Sequence, residues 1–117
     1  MGLLSQAGTG TDEHRKVLKS GTQVSFSVYE PGAQCQTGCQ LVGAYRGPLE
    51  PENLGLDRSE ARFMGRMSLL AVRAAQLALE QSGLPTRELA VVVGTGTGEI
   101  ETHREVVRRV QRGGRVR

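Results

Sequence analysis

A chain of 117 residues suffices for one domain that buries roughly two-thirds of its unfolded surface, and nothing in its length suggests two. With hydrophobic residues at 38% and aromatics at 3%, its core has to rest on Val, Leu, Ala and Met rather than on large rings. The 15 Lys and Arg exceed the 12 Asp and Glu by little. They are unevenly placed, because Arg104, Arg108, Arg109, Arg112, Arg115 and Arg117 crowd the last fourteen residues. No aromatic side chain is interleaved there to stack on bases, and no zinc or helix-turn-helix pattern accompanies them, so a solvated helix end is expected rather than a nucleic-acid interface. No apolar stretch approaches the roughly 20 residues that cross a bilayer, and no basic region precedes an apolar run and a cleavage site. A cytoplasmic protein without membrane contact is the expectation. Cys35 and Cys39 are too few for a disulfide scaffold and read as free thiols.

In chain order, residues 11–20 read as a short helix. Thr11 can cap it, Asp12 and Glu13 sit in its first turn, Lys16 and Lys19 lie near its end, and Gly21 stops it. Val24, Phe26 and Val28 then alternate with Ser25 and Ser27, the period-two pattern of a strand with one buried face, which Glu30, Pro31 and Gly32 end. A second strand is expected around residues 39–45, followed by a loop punctuated by Pro48, Pro51 and Gly55. Asp57 or Ser59 can cap a helix running to Ser82, about 24 residues or roughly 36 Å, with Gly83 as the stop and Pro85 beyond. Phe63, Met67, Leu70, Ala74, Leu77 and Ala78 recur at helical spacing, and Ala71, Ala74, Ala75 and Ala78 narrow one side for close approach by another element, so this helix is expected to be buried.

Leu89, Ala90, Val91, Val92 and Val93 form an uninterrupted apolar run before Gly94. Its brevity and β-branched content predict a strand buried on both faces in the middle of a sheet. The turn from Gly94 to Gly98 leads into a last helix over about residues 99–112, with Glu99 and Glu101 first and arginines last, which Gly113 and Gly114 end. Helix, tight turn, buried strand, glycine loop and helix together predict an α/β fold.

The chemistry-bearing candidates fare poorly one by one. The run Gly94-Thr95-Gly96-Thr97-Gly98 after a strand invites a dinucleotide reading. Glu99 stands where the third glycine is needed, and Glu99 with Glu101 would repel a pyrophosphate. No Gly-Lys-Ser/Thr follows to make a P-loop. Cys35 and Cys39 are four apart, His14 and His103 are each isolated in sequence, and a closed zinc site needs four ligands. No neighbouring base or helix terminus marks either cysteine as a nucleophile. His103, near Glu99 and Glu101, reads as a partly exposed surface histidine. The catalytic, cofactor-binding and metal-site expectation is therefore none, and no cofactor is expected.

Beyond these local readings, the run Arg62-Phe63-Met64-Gly65-Arg66-Met67-Ser68, continuing through Leu69 to Leu84, resembles the long helix in the N-terminal half of β-ketoacyl synthases. Residues 90–99, Ala-Val-Val-Val-Gly-Thr-Gly-Thr-Gly-Glu, are similar to the strand and glycine-rich turn that follow that helix in the family. The opening Met1-Gly2-Leu3-Leu4-Ser5-Gln6-Ala7-Gly8 resembles the family's turn after its first strand. The resemblance covers residues 1–12 and 57–112 well and the middle loosely.

What the resemblance implies is a partial thiolase-like fold, a mixed sheet with covering helices, incomplete at both ends, with residues 1–117 forming part of an N-terminal domain. The implied activity is acyltransferase chemistry: decarboxylative Claisen condensation on an acyl carrier protein in fatty-acid or polyketide assembly. Such proteins are expected as homodimers or heterodimers. The family's nucleophilic cysteine lies in an Ala-Cys-x-Ser/Ala-Gly turn downstream of the matched region, and that turn and both histidine motifs are missing, so no catalytic residue carries over and this chain alone is expected to be inactive. Gly94 to Gly98 mimics the motif His-Gly-Thr-Gly-Thr but follows Val93 rather than histidine. The rival expectations are a non-catalytic chain-length-factor-like partner and a small basic binding module.

Overall fold

The computed structural model describes residues 1–28, 41–84, 90–96 and 98–114. Two small antiparallel sheets and four α-helices make up its regular structure, and about half of the described residues are helical. The chain opens with a hairpin in which β1 (Leu4–Ser5) pairs with β2 (Gly8–Thr9), Leu4 opposite Thr9 and Ser5 opposite Gly8. A hydrogen bond from the Gly10 amide to the Leu3 carbonyl, 2.7 Å long, ties the hairpin to the start of α1 (Gly10–Ser20). The N-cap is Thr9 rather than the expected Thr11, and its amide donates to the Glu13 carboxylate at 2.6 Å. Gly21 ends the helix in the left-handed conformation, as expected from its lack of a Cβ.

The expected strand at residues 24–28 shrinks to β3 (Ser27–Val28), paired antiparallel with β4 (Leu41–Val42). Residues 45–54 fold back as a loop ending in a 3-10 turn, Pro51–Leu54. Tyr45, Leu49 and Leu54 from this loop are the buried apolar side chains among the described residues.

The helix expected over residues 57–82 is two helices. Asp57 accepts the Ser59 and Glu60 amides, and Glu60 returns a bond to the Asp57 amide, which forms the capping box of α2 (Arg58–Ala61). Gly65 then adopts an extended conformation and starts α3 (Arg66–Ser82), about 26 Å long, which Gly83 terminates. The break puts Phe63 outside both helices. Phe63 is 77% exposed rather than buried, with the Arg62 guanidinium over its ring at 4.2 Å.

α3 gathers the rest of the chain. Its Arg66 guanidinium donates to the Tyr45 carbonyl at 2.6 Å and its Gln76 amide to the Leu54 carbonyl at 2.7 Å, holding the 45–54 loop down. Gln81 donates to the Thr11 hydroxyl at 3.2 Å, and Gly2 lies so close to the Ala74 carbonyl that a methyl group added at Gly2 would overlap backbone atoms. The alanine-lined side therefore does admit a close neighbour. Even so, no residue of α3 is fully buried, which corrects the expectation of a buried helix.

The larger correction concerns the valine run. Leu89 lies outside the described residues, and residues 90–93 form no strand: Val91, Val92 and Val93 are 66%, 95% and 55% exposed, with no backbone hydrogen bond among the described residues. Among the described residues the run has no ladder partner, since β3 pairs with β4 and β1 with β2. The last helix, α4 (Ile100–Gln111), follows as expected. The radius of gyration is 17.1 Å, where a compact chain of this length has about 13 Å, so the elements form an open arrangement around α3.

Candidate functional site

One face of α3 and the valine segment enclose an open cleft of about 500 Å³. Met67, Ala71, Ala75 and Leu79 recur every fourth residue along its helical wall, with Val72 beside them, and Val91 and Val93 form the other side. Ser68, Gln76, Thr95 and Glu99 supply its polar atoms. Such a lining can hold an apolar chain or be covered by protein, but it brings no acid-base pair together.

Glu99 is the ionisable group of the cleft, and it is already engaged. Its carboxylate accepts the Ser68 amide at 2.6 Å, the Ser68 hydroxyl, and the Met67 amide at 3.3 Å, so it caps the N-terminus of α3 from the first residue before α4. The Ser68 hydroxyl first, and then the backbone amides of Ser68, Met67 and Gly65, hold its carboxyl below the ordinary value, while partial burial opposes them. Glu99 is thus a structural anion rather than a base. Sequence reading placed it at a helix start but could not see that the start it caps is that of another helix.

The remaining sequence candidates separate. His103 is exposed and lies beside Glu99, Thr102 and Val106, its amide bonded to the Glu99 carbonyl, and among the described residues no side-chain partner reaches its ring. Arg104, Arg108 and Arg109 on α4 and Arg112 at its C-cap are exposed, with Arg109 paired to Glu105 at 2.8 Å, the solvated helix end that the composition predicts. Arg115 and Arg117, Cys35 and Cys39, Thr97 and the Glu101 side chain lie outside the described residues. Among the described residues, no group of three or more His, Cys, Asp and Glu could hold a metal, and no helix is long and apolar enough to cross a membrane.

His14, isolated in sequence, is not isolated in space. Its Nε2 lies 2.7 Å from the Ser5 hydroxyl, and its Nδ1 lies 2.6 Å from the Gly10 carbonyl oxygen. The Ser5 oxygen also accepts the Ala7 amide at 3.0 Å. The signal that could have revealed this pair is the short hairpin itself, which returns residue 5 to the first turns of the helix; two-residue strands leave too little alternation to read.

Comparison of the chain with models of protein families, with curated proteins and with solved structures finds no match in any of the three.

Proposed function

We propose that this chain is a segment of a β-ketoacyl synthase, or of a non-catalytic thiolase-fold partner of one, and that to the condensation itself it contributes scaffold rather than reacting groups. The residue run through α3 and the glycine turn after the valines supports the family. The observation that carries the reading is the bare valine segment beside the small-residue face of α3. An uncharged, β-branched segment that pairs with nothing among the described residues, with a 500 Å³ apolar cleft next to it, suits a chain whose sheet is completed by other segments. Under this reading, Val91 to Val93 form an interior strand once their neighbours are present. The acyl carrier protein is the partner, and the exposed arginines of α4 offer an acidic carrier a cationic surface. Under this reading, the described residues contribute no group to the condensation.

Capture of the native product with an antibody against residues 99–112, followed by intact mass and sequencing, tests the proposal. A product several times longer is expected, with a cysteine-bearing glycine turn downstream, or another residue at that position for the non-catalytic partner. A 117-residue monomer with a sharp, concentration-independent melt would overturn it.

A further inference from the structure

We propose that Ser5 and His14 form a nucleophile and base pair that accepts acyl groups from activated esters, meaning thioesters or oxygen esters with an aryl leaving group. For a neutral imidazole, the hydrogen bonds assign every proton in the pair. A carbonyl oxygen only accepts, so the 2.6 Å contact with Gly10 requires the hydrogen of the neutral imidazole to sit on Nδ1. Nε2 then presents its lone pair to the Ser5 hydroxyl at 2.7 Å. The Ala7 amide donates to the same Ser5 oxygen at 3.0 Å, which leaves the single serine hydrogen for Nε2. Nucleophile, base and a third group orienting the base are thus in sequence, with a backbone carbonyl in the place usually held by a carboxylate.

The scaffold for this pair is local. Ser5 ends β1 beside a two-residue turn, His14 lies early in α1, and the bond from the Gly10 amide to the Leu3 carbonyl fixes one against the other. Both side chains are half-buried, which shields the pair from bulk water and leaves it reachable. The inference therefore does not depend on what completes the valine segment, and it stands or falls apart from the ketosynthase proposal.

In the acylation step the Ser5 oxygen attacks the ester carbonyl carbon while its proton passes to Nε2. The tetrahedral adduct collapses with cleavage of the bond to sulfur or aryl oxygen, and the departing thiolate or phenolate takes the proton from Nε2. Water then attacks the acyl-serine with its proton passing through Nε2 to the Ser5 oxygen, which releases a carboxylic acid. The choice of activated esters follows from what surrounds the ring. Among the described residues no carboxylate touches His14, and the Ala7 amide points at the nucleophile rather than at an acyl oxygen, so amides with their poor leaving groups are not served.

The test uses the full chain with its thiols first alkylated, so that Cys35 and Cys39 take no part. A fluorophosphonate probe, followed by peptide mapping, is expected to label Ser5, and 4-nitrophenyl acetate is expected to be hydrolysed above the buffer rate. General-base catalysis contributes at least about 100-fold, so Ser5→Ala and His14→Gln should each lower that excess by about this factor. Circular dichroism of both variants checks that α1 persists, and the probe on the unaltered chain needs no variant at all. Labelling that maps elsewhere or does not occur overturns the proposal, as does hydrolysis unchanged in the variants.

Discussion

The carboxylate of Glu99 gives the fold its most quantitative test. Replacing it with Gln keeps the side-chain length and one acceptor oxygen but removes the charge that faces the first amides of α3. Loss of an N-terminal cap costs about 0.5–2 kcal/mol. Glu99 is only half-buried, so solvent screening discounts the charged part, and we set Glu99→Ala near 1 kcal/mol and Glu99→Gln at about half of that. For a domain of this size, about 1 kcal/mol corresponds to roughly 4 °C in Tm. The pH dependence has a definite sign. The folded-state pKa lies below the ordinary 4.5, so the carboxylate stabilises the fold fully above that value and loses its contribution as pH falls through the folded pKa. Thermal melts followed by circular dichroism should show Glu99→Gln below the parent at pH 7, with the two converging in acid. Amide exchange at Ser68 should accelerate in the variant at pH 7. Equal melts at pH 7, or a gap that persists unchanged at low pH, would refute the tertiary cap.

Two other substitutions probe the surroundings of α3. Gly2→Val drives a branched side chain into the Ala74 carbonyl, which as backbone cannot swing aside; a loss of about 1–3 kcal/mol is expected in the urea midpoint, and an unchanged midpoint would mean that residue 2 does not pack there. Val92→Lys places a charge in the unpaired valine segment, where the parent chain should self-associate as its concentration rises in sedimentation velocity and the variant should remain monomeric. A parent that stays monomeric throughout would contradict the exposed edge.

Local signals carried the helices. Acids early, bases late and a glycine at the stop located α1 and α4 to within a residue or two, and Asp57, one of the two expected caps, marked the start of α2. These features act within one turn of backbone, where sequence separation is short and no partner is needed. The break at Gly65 was less visible, because the apolar spacing runs on through Phe63 to Met67 and conceals one extended glycine. Long-range features were not legible at all. An apolar run states that burial is favourable but does not supply the strand that would bury it, and so Val91 to Val93 carry the pattern of an interior strand yet lie bare. The Ser5–His14 contact and the reach of Glu99 to Ser68 depend on how elements meet, and pairs 9 and 31 residues apart leave no periodic trace.

The tie between Thr11 and Gln81 spans 70 residues, and it sets an order of events at the ribosome. The hairpin and first helix emerge early, but their resting place on the third helix does not yet exist. At about 5–20 residues per second, the N-terminal unit waits roughly 4–14 s before its dock is synthesised. During that interval its support is its own short-range bonding, joined only by the Thr9–Tyr45 hydroxyl contact once residue 45 has emerged, so chaperone capture and proteolysis of the nascent chain should concentrate on the first 21 residues, and slowing translation upstream of the third helix should lengthen their exposure.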